Sequence, residues 1–182
     1  MFVKGSGLRS LISAIEKLHG HAGLARVLEV MPEPMQKELE NPILPVKWYP
    51  TELVSAVHQA VRDTIGNGEW SESKVIGHEA ARQDFSGVYR LLLRSVHYDT
   101  IWDRIQVAFQ QYHSQGEGVW LDRRPGGATG KISGVVGYNL GQWLSIAGRC
   151  ERLLLMSGAK SASTELIEPA ATSCRFEVLY FD

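Results

Sequence analysis

The feature that most constrains this chain is a change of hydrophobic period partway along it. Up to about residue 114, apolar side chains recur at helical spacing. The closing run Arg175-Phe176-Glu177-Val178-Leu179-Tyr180-Phe181 instead alternates strictly, with Phe176, Val178 and Tyr180 on one face and Arg175, Glu177, Leu179 and Phe181 on the other. A chain that runs through helices first and strands later segregates its elements. The expected class is therefore α+β, with about six helices packed on a small antiparallel sheet formed by two hairpins of the C-terminal half.

The helices follow from their stripes and breaks. Leu8, Leu11, Ile12, Ile15 and Leu18 predict a first helix, with Ser6 as N-cap and Gly20 as stop. Leu24, Val27 and Leu28 predict a short second one over 22–30. Residues 31–50 hold five prolines (Pro32, Pro34, Pro42, Pro45 and Pro50), which rule out a long helix. Met35, Leu39, Ile43 and Leu44 are expected to pin this stretch to the body as a packed arm within one domain spanning 1–182. Thr51 is a candidate cap for a third helix carrying Leu53, Val54, Val57, Val61 and Ile65, ended by Gly66-Asn67-Gly68. A fourth helix is expected over 74–94 and a fifth over 98–114. Gly77 and Gly87 inside the fourth suggest close packing or a kink, because each costs about 1 kcal/mol relative to alanine. Two short strands, 118–122 and 131–136, flank the turn residues Arg124-Pro125-Gly126-Gly127, and a sixth helix covers 138–156.

Composition narrows the function classes. With 182 residues the chain can bury a core of its own without disulfides or metal. Nineteen basic against 20 acidic side chains, net −1, argue against a protein built to grip nucleic acid. No apolar run approaches the roughly 20 residues of a membrane span. Two cysteines, Cys150 and Cys174, make no disulfide framework, and a cytoplasmic location is expected. The six histidines show no i, i+4 pair, and there is no CxxC or HExxH, so no metal or other cofactor is expected. Gly126-Gly127-Ala128-Thr129-Gly130-Lys131 superficially suggests a phosphate loop but has the wrong spacing, with Ile132 where Ser or Thr would meet magnesium.

No catalytic motif remains, and the aromatic residues become the informative set. Trp102, Phe109, Tyr112, Trp120 and Trp143 fall in the middle and C-terminal half, on faces that converge on the sheet. They are the candidate lining of an apolar pocket between helices and sheet, since small-molecule sites are mostly apolar with a few polar groups. The leading expectation is a non-enzymatic ligand-binding or sensory module for a small apolar ligand. The alternative is a homodimeric interaction scaffold. A heme-binding gas sensor and a hydrolase using Cys150 rank below both.

Several stretches also carry a resemblance. Trp48-Tyr49-Pro50 opening a helix, Gly77-His78-Glu79-Ala80-Ala81-Arg82 through Gly87-Val88-Tyr89-Arg90, and the terminal Cys174-Arg175-Phe176-Glu177-Val178 together resemble an uncharacterised bacterial family known mainly from myxobacteria. More distantly, the element order is similar to the four-vinyl-reductase-type domain, the TRAPP trafficking subunits and the heme nitric-oxide/oxygen-binding domain. The resemblance implies ligand sensing or helix-mediated dimerisation. Some four-vinyl-reductase-type sensors hold zinc through clustered cysteines; here only Cys174 occupies such a place. The heme domain clamps propionates with Tyr-x-Ser-x-Arg; the comparable Lys131-Ile132-Ser133-Gly134-Val135 keeps only the serine, and His113 lies near the place of an axial histidine.

Overall fold

Twelve elements follow one another in a computed structural model of the chain, which describes residues 1–84 and 105–181. In chain order they are β1 (Phe2–Lys4), α1 (Gly5–Glu29), α2 (Glu33–Glu40), β2 (Trp48–Pro50), α3 (Thr51–Asp63), α4 (Ser71–Asp84), α5 (Ile105–Tyr112), β3 (Glu117–Arg124), β4 (Gly127–Ser133), α6 (Leu140–Met156), β5 (Ser161–Ile167) and β6 (Ser173–Phe181). The α+β class holds, with six helices among the described residues. None of these helices is long and apolar enough to cross a membrane. The second half of the expected fourth helix, its Gly87, and the start of the fifth lie outside the described residues.

The N-terminal helices are capped by chain segments rather than by side chains. α1 bends at Gly20, whose φ of 71° and ψ of 174° are not helical, so the expected stop is a kink inside one long element. Ser6 does not cap it. β1 runs directly into the helix, and the first free N–H groups are met by the proline-rich arm: Gly5 N–H donates to the Lys47 carbonyl at 2.8 Å and Ser6 N–H to that of Pro45 at 3.0 Å. Thr51 likewise starts α3 without capping it. Its N–H donates to the Met1 carbonyl, while its hydroxyl is buried with no partner among the described residues. The arm folds α2 behind Pro32, and Met35, Leu39 and Ile43 pack on the helical core. Leu44 does not pin it; that side chain is 54% exposed, and the segment is held instead by Leu44 N–H donating to the Tyr49 hydroxyl at 3.0 Å.

The expected hairpins, β3–β4 and β5–β6, join through β4 and β6 into one antiparallel sheet of order β3-β4-β6-β5. Alternation in β6 buries Cys174, Phe176, Val178 and Tyr180 against the helices. Ile132 pairs with Cys174, Gly130 with Phe176 and Ala128 with Val178, so the inner row of β4 extends the same apolar face. A second, two-stranded sheet of β1 and β2 joins Val3 to Tyr49, both buried. Nothing in the periodicity predicts it, because three residues are too few to show a period.

α6 is the central helix. It starts at Leu140, two residues later than expected, because Asn139 forms a capping box: its side chain accepts from the Gln142 N–H at 3.1 Å while Gln142 reaches back. α4 lies against α6 through glycines on both sides. A Cβ on Gly77 would stand 2.1 Å from the Ser145 carbonyl oxygen, and one on Gly148 would stand 2.1 Å from that of Lys74. Close packing, the sequence-based expectation for Gly77, is what the structure shows. The apolar interior falls into two clusters. One is built from β1, α1, α3, α4 and neighbouring segments. The other is built from Phe109, the sheet and α6.

Candidate functional site

The seam between those two clusters is not fully filled. A partly open cavity of about 200 Å³ lies there, bounded by both. Val3 of β1 with Leu8, Leu11 and Val54 of the helices form one wall; Ile132, Phe176 and Val178 form the sheet wall. α5 contributes Phe109 and Tyr112, and His113 follows directly after it. α6 lays one helical face along the cavity, with Gln142, Ser145, Ile146, Arg149, Cys150 and Leu153 at spacings of one, three and four residues.

Among the five aromatic candidates, Phe109, Tyr112 and Trp120 line this cavity. The Trp120 indole lies over Gly130, where a Cβ would stand 2.8 Å from ring atom Cζ3, so the missing side chain is what admits the ring to the inner face. Trp143 does not line the cavity. It is 1% exposed in the core behind it, donating its indole N–H to the Ala170 carbonyl at 2.8 Å. Trp102 lies outside the described residues. The rings form a continuous file: Phe109 stacks on His113 at 4.1 Å, Tyr138 sits 4.6 Å from Trp143, and Trp143 meets Phe176 edge-on at 5.9 Å.

Four polar features interrupt the apolar wall. His58 is buried and hydrogen-bonded through Nδ1 to the Ser73 hydroxyl at 3.0 Å. Burial, helped by the charge of Arg149, pushes its pKa down to about 3, so the ring is neutral. His113 is pushed down to about 4 by burial, against a backbone hydrogen bond at Phe109 and with Arg149 again opposing the proton. Its Nδ1–H donates to the Phe109 carbonyl at 3.0 Å, which fixes the tautomer. The Tyr138 hydroxyl is buried without a partner among the described residues, and burial raises its pKa. Arg149 is held by an ion pair with Asp84 and by the Ser10 hydroxyl at 3.1 Å from its Nη2; Ser10 in turn donates to the Gly7 carbonyl at 3.0 Å. This clamp ties α1, α4 and α6 together at the cavity wall.

Sequence reasoning missed His58, Tyr138 as a polar group, and Arg149. The available signal was the spacing of Gln142, Ser145 and Arg149, a polar stripe on a helix whose other stripe is apolar. It reads as a solvated face until the fold buries it. The thiols offer no nucleophile: burial pushes Cys150 up to about 12 and Cys174 up to about 11, far from the thiolate form at neutral pH. No cluster of three or more metal-ligating side chains occurs among the described residues.

By sequence, the chain matches no family model and no curated protein. By structure it is similar to H-NOX domains. A point variant of the unliganded Fe(II) H-NOX protein from K. algicida superposes with a TM-score of 0.72 at 11% identity, covering 98% of this chain and 97% of that one. An oxygen-binding H-NOX domain related to soluble guanylate cyclases, in its oxygen complex, gives 0.69 at 12% identity over 98% and 95%. A point variant of the T. tengcongensis H-NOX gives 0.65 at 12% over 98% and 98%. At such identities the likeness establishes the fold.

The described residues do not fit the iron porphyrin that this fold family implies. A dry apolar cavity of about 150 Å³ holds one benzene ring, and the space bounded by the described residues is about 200 Å³. In the stretch that the sequence resemblance sets against the propionate motif, Val135 is wholly buried and apolar. Lys131, at the position of the motif tyrosine, lies on the strand row opposite to inward-facing Ile132. The His113 ring, finally, is packed face to face against Phe109. The fold is that of H-NOX domains; its cofactor chemistry does not carry over to these side chains.

Proposed function

We propose that the chain is a small-molecule-binding sensory module that takes a small, largely apolar ligand directly into the seam cavity, without a heme between ligand and protein. The observation that carries this reading is the cavity itself, walled on one side by the N-terminal helices and on the other by the sheet and α6. A ligand there touches α1, α3, α5, α6 and the sheet at once, and any differential contact with two arrangements of these layers becomes a signal. The shared fold with H-NOX domains, one of them named as oxygen-binding, supports a sensory role. The reading treats 1–182 as one domain, acting in the cytoplasm without nucleic acid, and keeps the relation to four-vinyl-reductase-type and TRAPP-like proteins as part of the proposal. Native mass spectrometry of the freshly purified chain, followed by a dye-displacement screen of small apolar compounds, tests it. A bound compound or a displacing ligand supports the reading; a chain that carries none and binds none refutes it.

A homodimeric scaffold is the second reading. It is favoured by the outer face of the β1–β2 sheet, where Phe2 is 47%, Trp48 40% and nearby Val46 79% exposed. Sedimentation at micromolar concentration distinguishes the two: a strict monomer removes the scaffold reading and leaves the ligand reading intact.

A further inference from the structure

Arg149 is a charge in a place where charges are expensive. It sits midway along α6, on the face lining the cavity between Ile146 and Leu153, with 22% of its side chain exposed. Its carboxylate partner among the described residues, Asp84, is 11% exposed and lines the same cavity. Removing such a pair from water costs several kcal/mol per ion before attraction returns any of it, so stability alone gives little reason to place it against an apolar void.

The positive charge of Arg149 reaches both cavity histidines, opposing protonation of His58 on α3 and of His113 just after α5. Lys4 and Lys131 also border the space, but from strand positions whose neighbours Val3 and Ile132 face the core. Among the described residues the guanidinium is the lining cation carried on α6, anchored within the cavity wall. Its geometry is suited to a carboxylate. Nη1 donates to Asp84 and Nη2 to the Ser10 hydroxyl, which in turn donates to the Gly7 carbonyl at 3.0 Å or to Asp84 Oδ2 at 3.3 Å. An incoming carboxylate can take both nitrogens as a bidentate acceptor and leave Ser10 satisfied.

We infer that the ligand is an amphipathic monocarboxylate, a short acyl chain lying between Phe109, Ile132 and Phe176, whose carboxylate competes with Asp84 for Arg149. This rests on the ligand-binding reading above and specifies its chemistry. It also supplies the signal: binding exchanges the Asp84–Arg149 link between α4 and α6 for a ligand contact, while the glycine-mediated packing of the two helices persists.

The test is calorimetric titration of the full chain with octanoate and, separately, with 1-octanol. These probes share a tail and differ in the head group. Octanoate is expected to bind at least about tenfold more tightly, the scale of one hydrogen-bonded charge. Asp84→Asn removes the competitor and is expected to tighten octanoate several-fold while leaving 1-octanol unchanged. Arg149→Gln is expected to abolish the preference. If that variant does not fold, the Asp84→Asn result decides alone. A merely structural clamp predicts the reverse for Asp84→Asn: lower stability and no change in the octanoate-to-octanol ratio. Equal binding of both probes overturns the carboxylate inference and leaves the ligand-binding reading standing. Binding of neither overturns both.

Discussion

Tyr138 and the two buried histidines carry the sharpest consequences of single side chains. A buried hydroxyl without a partner costs about 1–3 kcal/mol, so Tyr138→Phe is expected to leave stability unchanged or raise it by about 1 kcal/mol, with the ring file intact. Urea unfolding reads this directly; a loss beyond 1 kcal/mol would mean the hydroxyl has a partner. The histidines act through pH. His58 and His113 titrate near 3 and 4 when folded, against an ordinary 6.5. Between pH 6.5 and 5 the unfolded chain therefore takes up protons that the folded chain refuses, and stability falls as pH falls. For two such groups the loss over that window is roughly 3 kcal/mol. Urea midpoints that stay constant from pH 7 to 5 would contradict the burial of both rings. Periodicity placed Phe109, Tyr112 and Trp143 on inward helical faces. It could not tell Trp143, which fills the core, from the others, which border a void, because both kinds sit on the same apolar stripe. The same limit hid Arg149: a cation on a helix looks solvated until a second helix covers it.

Whole elements meet where side chains are missing. The α4–α6 contact depends on Gly77 and Gly148, each facing a carbonyl oxygen of the other helix. Gly77→Ala and Gly148→Ala each force the helices apart, at a cost of about 1–3 kcal/mol as overpacking, although alanine is the better helix former. Thermal melts should show both variants destabilised; a gain in either would mean the helices have room to spare. Asn139→Ala removes the α6 capping box and is expected to cost about 1 kcal/mol by the same measurement. The long helices and the two C-terminal hairpins were legible because each spans enough residues to show a period. β1 and β2 were not, and neither was the capping of α1 by the Pro45 and Lys47 carbonyls, since that contact joins segments some forty residues apart. The expected caps Ser6 and Thr51 failed because the helices begin at Gly5 and Thr51, which puts both residues inside the first turn.

At the scale of the molecule, two apolar clusters meet along a seam that is lined but not filled. The chain shares its fold with H-NOX domains, and among the described residues the seam holds a small, mostly apolar space. Order of elements was enough to suggest the architecture; the content of the seam depends on how side chains from five elements converge, which no local pattern records. The central claim is that this space admits a small apolar molecule. Methyl-selective NMR of the chain titrated with 1-octanol tests it most directly. The account predicts saturable shifts confined to Leu8, Leu11, Val54, Ile132 and Ile146, with Val46 and Val75 on the surface unmoved. Shifts at Val46 and Val75 alone, or no saturable shift at any cavity methyl, would contradict it.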